Sequence, residues 1–183
     1  MSPGSLRGRA GEGQQGRQGD RVESRSFRDV VGHFPTGVVV VTSADQASGA
    51  MHGVTVNAFS SLSLDPVLAL VCVSRDSQSH DFLTTRPAFV VNILARRQIA
   101  LAERFAGRAP LVSAEFAGVP FVPGIDGAPV LGGCVAWIEC RRVATYPGGD
   151  HTILIGEVVD ARLGDDDDPL VFFTGDYTSL TWG

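Results

Sequence analysis

From Thr36 to Phe173 the chain is a succession of short apolar, β-branched segments separated by turn residues, with only brief helical stretches between them. "TGVVVVTS", "HGVTVNAFSSLSLDP", "VLALVCV" and "AFVVNIL" follow one another, and "CVAWIECRRVATY", "HTILIGEVVDARL" and "PLVFF" close the series. Parallel neighbours need a crossover of a dozen or more residues, normally a helix, between each pair. Most connections here are too short for that. The order excludes a doubly wound parallel sheet and predicts a mainly β fold, a closed antiparallel barrel of about six strands with short helices packed outside.

The local signals fill in this plan. Ser26 is a plausible N-cap, and Phe27, Val30, Val31 and Phe34 repeat at helical spacing up to Pro35. The polar, Gly-rich "ADQASGAMHG" joins the first long strand to "HGVTVNAFSSLSLDP", expected as one returning strand. "VLALVCV" is apolar at every position, which predicts burial on both faces. "ARRQIALAERFAG" has a helical period and stops at Gly107, a natural C-cap. Residues 108–133, with Pro110, Pro120, Pro123 and Pro129, form a long irregular excursion of the kind that covers a site. "GDDDD" lacks the Gly and terminal Glu of a calcium loop and reads as a solvated turn.

Composition then removes whole classes of function. Residues 1–26 hold six Gly, five Arg and no aromatic residue, so they cannot bury enough surface to offset their ordering and are expected to be a disordered tail. Residues 27–183 form the folded domain. The whole chain carries −5; the tail's five Arg against Glu12, Asp20 and Glu23 leave about −7 on the domain, which argues against a nucleic-acid footprint. All basic side chains are Arg and none is Lys, a mark of a GC-rich source. No apolar run approaches a membrane span or a signal peptide, so a cytoplasmic location is expected. Cys72, Cys134 and Cys140 form no C-x-x-C pair and are expected to stay reduced. His33, His52, His80 and His151 show no ligand spacing, and no metal is expected.

Three short stretches carry candidate chemistry. Residues 52–66 crowd Thr55, Asn57, Ser61 and Ser63 onto strand-forming sequence, which suits a planar heteroaromatic ring docked along a strand edge; water or backbone would serve those hydroxyls equally. "VSRDSQSH" (73–80) offers Ser74, Arg75, Ser79 and His80, guanidinium and hydroxyl chemistry for a phosphate, or simply a capped helix start. "PGGDHTILIGEV" puts His151 at the mouth of a strand, aimed into a cleft or half exposed to solvent. The sequence contains no G-x-G-x-x-G between a strand and a helix, so any dinucleotide is bound in some other way than a Rossmann fold.

In their order, "FRDVVGHFPTGVVVVT", "HGVTVNAFSSLSLDP", "LVCVSRDSQSH", "FVVNILARRQIALAERFAG", "GGDHTILIGEV" and "PLVFFTGDYTSL" resemble the flavin reductase-like family of FMN-binding split barrels. More narrowly, they resemble the short-chain NAD(P)H:flavin oxidoreductases of two-component monooxygenases. The resemblance covers residues 27 to 180. It implies a six-stranded, Greek-key split β-barrel, a homodimer, FMN or FAD with NADH or NADPH as ligands, and a flavin-dependent oxygenase or halogenase as the consumer of reduced flavin. It assigns Thr55, Val56, Asn57 and Ala58 to the isoalloxazine ring, with Ser61 and Ser63 nearby. Ser74, Arg75, Ser79 and His80 become the phosphate end, and Phe105, Ala106 and Tyr177 further walls. His151 stands beside the nicotinamide as the one catalytic candidate. Ala58 replaces a Ser common in relatives, and Asp65-Pro66-Val67 a double proline. The alternative within reach is a protein that retains FMN for electron transfer. An oxidase of pyridoxamine phosphate is disfavoured by the lone arginine in the phosphate loop.

Overall fold

The structure, a computed structural model, describes residues 22–108 and 116–180. Helix α1 (Ser24–Val31) opens the described chain, followed by β1 (Thr36–Gly37), β2 (Val39–Asp45) and β3 (Ala50–Val56). β4 (Phe59–Leu64) and β5 (Val67–Ser74) form the next hairpin; α2 (His80–Thr85) leads to β6 (Ala88–Ile93). A 3-10 turn at Arg96–Gln98 runs into α3 (Ile99–Phe105). The proline-rich excursion holds β7 (Phe121–Pro123) and β8 (Pro129–Leu131), which pair with each other. Two 13-residue strands, β9 (Ala136–Gly148) and β10 (His151–Leu163), precede β11 (Val171–Phe173) and β12 (Asp176–Thr178).

Seven strands make one antiparallel sheet in the order β3-β2-β6-β9-β10-β5-β4, and β1, β11 and β12 make a small second one. The sheet is not closed, which corrects the closed barrel read from the segments and bears out the antiparallel split β-barrel that the resemblance implies, with seven strands in the sheet in place of six. The end strands β3 and β4 share no ladder. Residues Asn57 and Ala58 alone connect them, and the Cys72 N–H donates to the Ala58 carbonyl at 2.9 Å, holding the connection against β5. "HGVTVNAFSSLSLDP" is thus two strands on opposite edges of the sheet, because the chain leaves one edge and crosses the split to join the other.

The core shows which apolar run is buried on both faces. Val39 and Val41 point into the barrel with Val54, Val71, Phe89 and Leu154, while Val38 and Val40 pack outward under α3 with Ala102, Phe105, Leu131 and Leu170. In "VLALVCV" only Ala69, Val71 and Val73 are buried, and Val67 is exposed. Leu68, Leu70 and Cys72 of that run are only partly buried, so the expectation of two-sided burial fails there and holds for β2.

Buried polar groups pin the excursion to the barrel. Asn92 donates to the Val40 carbonyl at 3.0 Å and accepts the Leu131 N–H at 2.8 Å. The buried Thr42 and Ser43 hydroxyls likewise donate to the Pro129 and Ala88 carbonyls, as burial requires. Helix α1 begins two residues before the expected cap at Ser26, so Ser24 to Ser26 belong to it and not to the tail. Residues 1–21 lie outside the described residues. No residue of α1 is buried, and Phe27, Val30 and Phe34 are left in solvent. Among the described residues no helix is long and apolar enough to cross a membrane, and the three cysteines are free.

Candidate functional site

The sheet and α3 meet at β3, and sequence dictates how closely. Gly53 lies flat against Phe105: a Cβ there would fall 2.7 Å from the ring. The Thr55 hydroxyl donates to the Ala102 carbonyl at 2.7 Å, tying the end of β3 to the same helix. This contact opens a cleft lined by Thr55, Val56, Asn57, Ala106, Arg108 and Tyr177, with Val38 and Phe172 behind. Apolar walls face one another, and amide, hydroxyl and guanidinium groups stand at the rim. Its volume of about 210 Å³ is below the roughly 300–1,000 Å³ of pockets that engulf a drug-sized ligand.

At the cleft mouth Tyr177 packs edge-on against Phe172, ring centroids 5.6 Å apart. Its phenol is pushed up to about 12, first by burial and then by the hydrogen bond it donates to the Glu103 carboxylate. Arg108 closes the group, its Nη1 3.3 Å from Glu103 Oε1 and its backbone N–H on the Glu103 carbonyl at 2.9 Å.

A second group forms where β5 and β10 end side by side. The register sets His151 opposite Ser74, and the Arg75 N–H donates to the Asp150 carbonyl at 3.0 Å. His151 Nδ1 lies 2.7 Å from Asp150 Oδ1. An ionised carboxylate only accepts, so the proton sits on Nδ1 and Nε2 faces away from Asp150. That hydrogen bond from His151 holds the Asp150 carboxyl below the usual range.

The expected residues therefore divide. Thr55, Val56, Asn57, Ala106 and Tyr177 come together in the cleft. Ala58 adjoins it at the strand break, its carbonyl taken by Cys72. Ser74, Arg75 and His151 share the second group. Ser79 is buried and donates to the Gly53 carbonyl at 2.9 Å, so it braces β3. His80 has both ring nitrogens engaged, Nδ1 with Asp81 and Nε2 with the Thr152 hydroxyl, which leaves its ring as a brace between α2 and β10. Phe105 lies in the core beneath the cleft instead of lining it. Ser61 and Ser63 stand on β4, paired with Ala69 and Leu68 of β5, and do not line the cleft. Val38, Phe172, Arg108 and Asp150 were not foreseen. Arg108 directly follows the helix stop "FAG", and Asp150 directly precedes His151, and that adjacency was the only signal.

The family model for the flavin reductase like domain matches residues 31–181. An NADH-dependent FAD reductase of Streptomyces globisporus is 44% identical over 145 residues, covering 78% of this chain and 76% of the relative. An FMN reductase (NADH) of Agrobacterium fabrum is 42% identical over 154 residues, 83% of each chain. Among solved structures, BorF, the flavin reductase component of a bacterial two-component tryptophan halogenase, superposes with a TM-score of 0.77 at 38% identity. The match covers 86% of this chain and 98% of that one.

Proposed function

As the chain belongs to the family of flavin reductase-like domains, we propose that it is an NAD(P)H:flavin oxidoreductase. It takes FMN or FAD into the cleft, reduces it with NADH or NADPH, and releases it to a separate flavin-dependent oxygenase or halogenase. The observation that carries this is the joining of Thr55, Val56 and Asn57 with Ala106 and Tyr177 around one ring-sized cleft. When bound, the two cofactors supply the redox chemistry themselves, a hydride passing from nicotinamide C4 to flavin N5.

The chain's own part is to bind, orient and exclude water. Val56, Ala106 and Phe172 offer apolar walls, and Thr55, Asn57 and the broken strand offer the polar rim. Arg75 and Ser74 supply phosphate chemistry at the loop after β5. His151, turned by Asp150, presents Nε2 to the nicotinamide carboxamide as a positioning group. No acid, base or nucleophile is needed.

A cleft this shallow leaves one face of a ring in water. The reading therefore includes a homodimer whose second copy covers it, supported by the exposed Phe27 and Val30 of α1, Phe34 just after it, and Leu62, Leu64 and Val67 of the β4–β5 hairpin. A twofold pairing needs such self-complementary apolar surface. The same reading puts the chain in the cytoplasm with its diffusible cofactors. Steady-state oxidation of NADH with free flavin in catalytic excess tests the function. Continuous turnover is expected; a single turnover of tightly held flavin would favour the electron-transfer alternative.

A further inference from the structure

Arg108 and Glu103 stand at the cleft as an ion pair that the hydride chemistry does not use. Arg108 is a cation in the wall of a small, partly apolar cleft, and Glu103 is its counter-charge, 3.3 Å away. Glu103 also accepts the Tyr177 hydroxyl, so the carboxylate sits between two cleft-lining side chains. Asp176, next to Tyr177, is the other acidic group acting there. Such a cluster does little for a neutral ring. It distinguishes strongly between a neutral ring and one that carries charge.

We propose that Arg108 and Glu103 tune the charge of the cleft for release of product: Arg108 stabilises the anionic reduced ring, and Glu103 offsets that stabilisation so that reduced flavin is not retained. This rests on the flavin reading of the cleft. Accepting a hydride at N5 adds one negative charge to a neutral oxidised ring, delocalised over the N1–C2 carbonyl edge. A nearby cation therefore favours the product over the substrate, and a paired cation favours it less. The balance sets how readily the reduced ring leaves.

The test is a pair of affinities for each variant, measured anaerobically by fluorescence for oxidised and dithionite-reduced FMN. The Arg108 side chain is exposed, which tempers its Coulomb effect. Arg108→Met is expected to weaken reduced FMN about fivefold with oxidised FMN changed less than twofold, which lowers the bound midpoint potential by about 20 mV. Arg108→Lys keeps the charge and should restore most of the difference. Glu103→Gln keeps an acceptor for Tyr177 and removes the counter-charge, so it should tighten reduced FMN by a similar factor. Opposite signs for Arg108→Met and Glu103→Gln support the proposal. Losses of the same sign, or equal losses for both redox states, would show a purely structural wall and overturn it. If the wild-type chain binds neither redox state, the flavin reading itself falls and the proposal with it.

Discussion

Gly53 sets how deep the cleft is, and one added methyl tests that. A Cβ built on Gly53 meets Phe105 Cδ1 and Cε1 at 2.7 Å and Val40 Cγ1 at 3.5 Å. Comfortable carbon contacts begin near 3.5–4.0 Å, so the Phe105 ring must retreat by about 1 Å. It has no room: Phe105 is 4% exposed and packs against Phe116 with centroids 5.1 Å apart. The strain passes to α3, whose Ala102 carbonyl accepts from Thr55 and whose C-cap Ala106 lines the cleft. Overpacking of a tight core costs about 1–3 kcal/mol. At roughly 2–4 °C per kcal/mol for a chain of this size, Gly53→Ala should lower Tm by about 2–12 °C.

Flavin affinity should fall with it, because the wall moves even where the fold survives. Thermal unfolding by circular dichroism and flavin titration by fluorescence quenching read the two effects. Combining Gly53→Ala with Phe105→Leu removes the ring edge that clashes. The double variant should be more stable than the sum of the single losses by about 1 kcal/mol, a coupling typical of residues in contact. A Gly53→Ala protein with wild-type Tm and wild-type flavin affinity would refute the close approach, and with it this account of how the cleft is built.

Four further outcomes are expected. Arg75→Ala should weaken FMN about tenfold, the loss of a charge-assisted hydrogen bond of roughly 1.5–3 kcal/mol, and spare riboflavin; equal losses would remove Arg75 from the phosphate. His151→Asn should keep most activity and His151→Ala should slow stopped-flow reduction about ten- to a hundredfold with flavin affinity intact; complete loss in both at saturating NADH would make His151 more than a positioning group. Light scattering should report about twice the 19.3 kDa chain mass, and Phe27→Asp with Val30→Asp should shift it to the monomer if α1 is interfacial. In a Tyr146→Phe background, which leaves Tyr177 as the single tyrosine, ultraviolet titration should place the phenol near 12 and Glu103→Gln should bring it down. Because the fold holds that proton, Tyr177's contribution to stability is whole below pH 10 and is lost as pH rises toward 12.

The strand order was legible because turn residues punctuate it, and the antiparallel sheet follows from connections too short for crossovers. The break at Asn57-Ala58 was not legible. Strand-forming residues run on through it, and only the demand that β3 and β4 occupy opposite edges of one sheet divides them. Burial misled in the same way. "VLALVCV" and "GVVVV" look alike as strings, yet α3 covers the outer face of β2, while on β5, between β10 and the edge strand β4, alternate positions stay only partly buried. At the site, residues close in sequence were found together, as Thr55 to Asn57 were. His80 and Ser79 were assigned by residue type, but partners 72 and 26 positions away, Thr152 and Gly53, engage them. Such long-range hydrogen bonds leave no trace in local pattern.

The architecture favours a ligand that comes and goes. A protein that keeps its flavin needs to surround it, and here the walls come from a strand end, a helix C-terminus and a short C-terminal hairpin, which cover one face only. On the proposed reading charge does not anchor the ring either, since Glu103 pairs with the cleft-lining Arg108. What remains is the apolar wall and Arg75, which we propose meets the phosphate. Micromolar binding corresponds to about −8 kcal/mol; a phosphate contact of roughly 1.5–3 kcal/mol is a sizeable share of that and acts alike on oxidised and reduced flavin. Discrimination between the two redox states therefore falls to the groups that face the ring. Among the described residues the charged one that lines the cleft is Arg108, with Glu103 as its counter-charge and Asp176 acting on the same tyrosine. A chain that hands its product to another enzyme has reason to place a balanced pair there and not a lone cation.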